Sequence, residues 1–130
     1  MATFFKWILI ADDDAGVRAL LTDTLTRAGY RVVSASNGHE ALDLMRAVVP
    51  DLIVLDLRMP EMSGPAFLKA LKGSPVLTRI PVLIVSGFLE DESPRASFGL
   101  NVVGRLPKPL RLADLLGAVR AALAPAARHA

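Results

Sequence analysis

A chain of 130 residues that is 52% hydrophobic, with a formal charge of +2, has the size of one domain and enough apolar material for a core. It contains no cysteine, which excludes a disulfide framework and thiolate metal sites, and no basic run, which argues against direct nucleic-acid binding. The opening M-A-T-F-F-K-W-I-L-I is far too short for a membrane span and runs straight into acids, so a cytoplasmic protein without membrane contact is expected.

From Phe5 to Ala11 only Lys6 interrupts an apolar run, which reads as a buried strand ending in Asp12, Asp13 and Asp14. Asp14 is the expected N-cap of a helix carrying Val17, Leu20, Leu21, Leu25 and Ala28 at helical spacing, with Gly29 as its C′ stop. Arg31 to Ser36 is a second, β-branched strand; Asn37-Gly38 reads as a turn, and His39 to Val49 as a helix broken by Pro50. Leu52 to Leu55 is an unbroken apolar run, as in a parallel strand covered on both faces, and Asp56 stands where it ends. Met59, Pro60 and Gly64 then turn the chain away.

A third helix is predicted over Gly64 to Lys72 and a fourth strand over Pro81 to Val85, closing on Ser86-Gly87. The polar stretch that follows suits a short fourth helix with Ser93 as N-cap, Pro94 at N1 and Asn101 as its stop. Val102 to Leu106 is a fifth strand, Pro107-Lys108-Pro109 a rigid turn, and Leu112 to Leu123 a fifth, amphipathic helix. The domain is expected to span 1–124, with 125–130 a tail or the start of a linker. Strict β-α alternation implies a parallel sheet with helices on both faces. No strand is followed by a glycine-rich nucleotide-binding turn.

Ligands of open α/β sheets bind outside the carboxyl ends of the strands. The residues there are Asp12 and Asp13, Asp56, Ser86 and Lys108. Three carboxylates in one crevice repel one another and call for a cation or an abnormal pKa; a divalent ion is the simplest answer, and with oxygen ligands only and few of them, Mg²⁺ suits the set better than Zn²⁺ or Ca²⁺. A hydroxyl and an ammonium complete what an incoming phosphoryl group needs, with a carboxylate as nucleophile.

The A-D-D-D end of the first strand, the L-D-L-R-M-P-E-M-S-G segment, V-S-G after the fourth strand and L-P-K-P after the fifth resemble a response-regulator receiver domain of two-component signalling, from about Trp7 to Leu123. The resemblance implies a flavodoxin-like, CheY-like doubly wound five-stranded parallel sheet of order 2-1-3-4-5 with five helices. It further implies that Asp56 is phosphorylated from the phosphohistidine of a histidine kinase or phosphotransfer protein. Asp13 and Asp56 would bind Mg²⁺ directly, Asp12 through water, and Arg58 through its backbone carbonyl. Ser86 and Lys108 would hold the phosphoryl group, Gly87 would leave access to it, and Pro109 would follow a cis bond. Such a domain is a switch with self-catalysed phosphorylation and dephosphorylation, not a turnover enzyme. It acts on a downstream effector protein or domain, and a homodimer through the last helix and fifth strand is compatible with the sequence.

One position departs from the family: Arg105 stands where an aromatic ring is usual. Either the guanidinium lies on the surface with its stem along the strand, or it pairs with Glu90 or Asp91 and transmits the state of Ser86. The alternative, a phosphorylation-independent docking module on the same fold, has Arg105 in its favour, while intact Asp13, Asp56, Ser86 and Lys108 speak against it. An Mg²⁺-dependent phosphatase with an aspartate nucleophile would want a second acid two residues on, where Arg58 stands.

Overall fold

The third strand, β3 (Leu52–Asp56), is buried at every position, as its unbroken apolar run requires, and the sheet is laid out around it. The computed structural model describes residues 5–59, 64–87 and 102–124. In chain order these form β1 (Trp7–Ala11), α1 (Ala15–Arg27), β2 (Arg31–Ala35), α2 (Gly38–Leu44), β3, α3 (Gly64–Leu71), a 3₁₀ turn (Leu77–Arg79), β4 (Val82–Ser86), β5 (Val102–Pro107) and α4 (Leu112–Leu123). The sheet has five strands in the order β2-β1-β3-β4-β5, every pair parallel.

Alternation along the buried strands divides the core into two layers. Leu9, Ile53, Leu55, Val82 and Ile84 meet Ala41 of α2, Met45 just past its end, and Phe67, Leu68 and Leu71 of α3. Ile8, Ile10, Leu52, Val54, Leu83 and Val85 face the other way, onto Leu21 and Leu25 of α1 and Leu115 and Val119 of α4. A fully buried side chain of this kind contributes about 1.5–3 kcal/mol relative to an exposed one, so both layers are needed to hold the sheet.

Local chemistry sets the helix ends. The Asp14 side chain accepts the Val17 N–H at 3.1 Å, and Gly29 takes a φ of 103°, a conformation that glycine adopts without strain. Asn37, read above as a turn residue, caps α2: it accepts the Glu40 N–H at 2.9 Å while the Glu40 carboxylate reaches back to the Ser36 N–H. This reciprocal box starts the helix at Gly38. At the other end α2 stops at Leu44, five residues short of the expected Val49, because β-branched Val48 and Val49 and then Pro50 disfavour continuation. Four α-helices are seen among the described residues; the short helix expected from Pro94 to about Phe98 or Leu100, and the tail from 125, lie outside them.

Candidate functional site

The strand register dictates which side chains meet. Ala11 of β1 is level with Leu55 of β3, so Asp12 emerges beside Asp56. Asp56 is level with Val85 of β4, and Ser86 in turn with Pro107 of β5, so Ser86 and Lys108 come out at the same edge. Asp12, Asp56 and Ser86 are 2%, 6% and 1% exposed, whereas Asp13, Arg58, Gly87 and Pro109 are exposed and Lys108 is partly buried. Leu57 and Met59, both buried, pin the segment that leaves Asp56.

Carboxylate oxygens of Asp12, Asp13 and Asp56 all lie within 4.8 Å of one another. At that spacing, carboxylate pairs repel by roughly 3–4 kcal/mol at an effective dielectric near 20, less where solvent screens the exposed Asp13. The Lys108 ammonium sits 2.8 Å from Asp12 Oδ2 and 3.5 Å from Asp56 Oδ2, so Asp12 is its principal partner. Asp12 Oδ1 accepts the Asp14 N–H at 2.9 Å, and Asp56 Oδ1 accepts the Arg58 N–H at 3.1 Å. The Lys108 N–H donates to the Ser86 carbonyl at 3.1 Å, and the Lys108–Pro109 bond is cis.

Burial pushes the Asp56 carboxyl above its ordinary pKa; the Arg58 N–H pulls it back, the charge of Asp12 raises it again, and Lys108 offsets only part. Burial works against the Lys108 ammonium too. Its hydrogen bond to Asp12 and the charges of Asp56 and Asp12 outweigh that, so Lys108 is held above its ordinary value. The two shifts agree once the distances are considered: the ammonium serves Asp12 first and leaves Asp56 undercompensated. An all-oxygen donor set with surplus negative charge, one acid of which is exposed, fits a hard divalent cation such as Mg²⁺.

Arg105 is not the surface residue of the first expectation. It is partly buried, with Nε and Nη2 out of contact with solvent. It is level with Ile84 and so shares that residue's face of the sheet. Glu90 and Asp91, the suggested partners, lie outside the described residues. His39 is exposed. Arg18 was not singled out by sequence, yet its Nη1 donates to the Asp12 carbonyl at 2.8 Å. The available signal was its charge: a cation in the fourth position of α1, whose first turn has no acid, opposes the helix dipole.

The family model of the response regulator receiver domain matches residues 8–120. The chain is 34% identical over 113 residues to sporulation initiation phosphotransferase F of Bacillus subtilis, covering 87% of this chain and 90% of that protein. It is 35% identical over 116 residues to response regulator MprA of Mycolicibacterium vanbaalenii, covering 89% of this chain but only 49% of the relative. Among solved structures, the chemotaxis response regulator CheY4 of Vibrio cholerae superposes with a TM-score of 0.82 at 29% identity, over 92% of this chain and all of that one. With four strand ends meeting at one acidic edge and a family match spanning nearly the whole chain, this protein belongs to the response regulator receiver domains of two-component signalling.

Proposed function

We propose that Asp56 is the phosphoryl acceptor, with Asp12, Asp13, Asp56 and the Arg58 backbone carbonyl holding Mg²⁺ and with Ser86 and Lys108 receiving the phosphoryl oxygens. The observation that carries this is the crowding of three carboxylates within 4.8 Å of one another, with the Lys108 ammonium reaching Asp12 and Asp56 among them. An Asp56 oxygen forms the bond to phosphorus as the phosphorus–nitrogen bond of a phosphohistidine breaks, the electron pair leaving with the imidazole. When bound, Mg²⁺ supplies charge neutralisation for the phosphoryl oxygens. Lys108 pairs with one of those oxygens as a point charge and the Ser86 hydroxyl donates to another, while exposed Gly87 leaves the approach open.

The donor in this proposal is a histidine kinase or phosphotransfer protein, the recipient of the signal a downstream effector, and the compartment the cytoplasm. The domain extends to about Ala124, in keeping with a family match to residue 120 and a last helix ending at Leu123. No described helix is long and apolar enough to cross a membrane. Phosphorylation shifts an equilibrium between two arrangements of the β4–β5 side, and a partly buried guanidinium at Arg105 in place of a ring alters the surface by which that shift is read. Incubation with acetyl phosphate and Mg²⁺ followed by intact mass tests the assignment. A single phosphoryl adduct on the wild type, absent with EDTA and from Asp56→Asn, is expected; an equal adduct on Asp56→Asn removes it.

A further inference from the structure

Asp12 and Asp13 ride on a three-residue turn between β1 and α1, and that turn is held from several directions. The Asp12 N–H donates to the Ala35 carbonyl at 3.0 Å, its Oδ1 accepts the Asp14 N–H, and its Oδ2 accepts Lys108. Asp13 is different: it is exposed, and among the described residues no hydrogen bond fixes its carboxylate. Its position is therefore set by the backbone on either side.

Both sides are bonded to one residue. The Arg18 guanidinium Nη1 donates to the carbonyl of Asp12 at 2.8 Å, and the Arg18 backbone N–H donates to the carbonyl of Asp14 at 2.9 Å. The backbone bond is ordinary for a helix; the side-chain bond is not. A cation here lies near the positive end of α1 and close to a cluster where a metal cation is expected, so on charge alone it opposes both. The side chain nonetheless reaches the carbonyl at 2.8 Å.

We infer that Arg18 is a positioning residue: by bracketing Asp13 it presents that carboxylate to the divalent cation of the acidic pocket. This rests on the assignment of the pocket to Mg²⁺. Groups that orient metal ligands from behind commonly change affinity by one or two orders of magnitude, and a brace acting through the backbone belongs at the low end.

Charge and position predict opposite signs, which makes the test decisive. If Arg18 were only a nearby positive charge, its removal would tighten Mg²⁺ binding. As a brace, its removal loosens it. In calorimetric Mg²⁺ titrations of the full chain, Arg18→Ala is expected to bind roughly three- to tenfold more weakly than wild type. Arg18→Lys, which keeps one donor and the charge, is expected to fall between. The thermal midpoint without metal reports on folding; should Arg18→Ala not fold, Arg18→Lys decides. Equal or tighter binding by the folded variant overturns the inference. Amide exchange in metal-free buffer separates this failure from failure of the pocket itself. Faster exchange at Asp14 in the variant supports the brace even if wild type binds no Mg²⁺, a result that would instead sink the metal assignment. Unchanged exchange at Asp14 counts against the brace.

Discussion

The two ends of the sheet use the same kinds of side chain to opposite effect. At the amino end, Asp51 Oδ2 accepts the Trp7 N–H at 2.8 Å while the Asp51 N–H returns a bond of 2.8 Å to the Trp7 carbonyl, so β1 and β3 start in register. Nearby, the Arg31 guanidinium lies 4.6 Å from the Phe5 ring centroid and 5.8 Å from that of Trp7. Each charge there meets a group it suits. At the carboxyl end, Asp12, Asp13 and Asp56 crowd together, and the Lys108 ammonium bridges Asp12 and Asp56. An aspartate that closes a hydrogen-bonded ring stabilises the fold; one stacked against its own kind stores unfavourable energy that a ligand can release.

Substitutions at the two ends should accordingly diverge. The largest effect is expected from Lys108→Ala, which strands buried Asp12 without its ammonium. In metal-free urea titrations it should lose about 2 kcal/mol, below the value for a fully buried pair because Lys108 keeps 25% exposure. Added Mg²⁺ should narrow the gap by binding the same acids. A metal-free variant as stable as wild type would erase the contrast. Next comes Asp51→Ala, which should cost about 1–2 kcal/mol, with Mg²⁺ making no difference, since the lost bond is far from the pocket.

The smallest effect has the opposite sign. Asp56→Asn removes a repelling charge, so at pH 7 it should raise stability by about 1 kcal/mol, seen as a few degrees in thermal midpoint. The pH dependence follows from the raised Asp56 pKa. Between the ordinary 3.8 and the raised value, the folded protein keeps a proton that the unfolded chain has released. Stability therefore falls as pH rises through that window, and Asp56→Asn should lack the fall. Its advantage over wild type should shrink on acidification; a constant advantage from pH 3 to 7 would mean that relief of charge is not the cause.

Much of this was legible from sequence because buried parallel strands announce themselves. Leu52 to Leu55 and Val82 to Val85 are continuous apolar runs, and the acids and Ser86 sit at their ends in a pattern that only a parallel sheet brings together. Less legible was anything decided by competition. Val49 continues the helical stripe of Ala41, Leu42 and Met45, and only the β-branched residues before Pro50 show why α2 stops early. Asn37-Gly38 reads as a turn until Glu40 completes the box. Burial of Arg105 was hidden for another reason: β5 is irregular opposite Val82 and Leu83, so a simple alternation does not say which way each of its side chains faces. Arg18 looks like any basic residue on a solvated helix, since a side chain reaching back to a carbonyl six positions earlier leaves no periodic trace.

The hydrogen bond from the Lys108 amide to the Ser86 carbonyl couples the tips of β4 and β5 through the main chain. A displacement of one tip that leaves this bond intact carries the other with it, with no side chain needed as messenger. A biosensor made from this domain would thus need a single dye, attached beside either tip, to register events at both. Conversely, two dyes placed there would give duplicate readings of one movement, not independent channels.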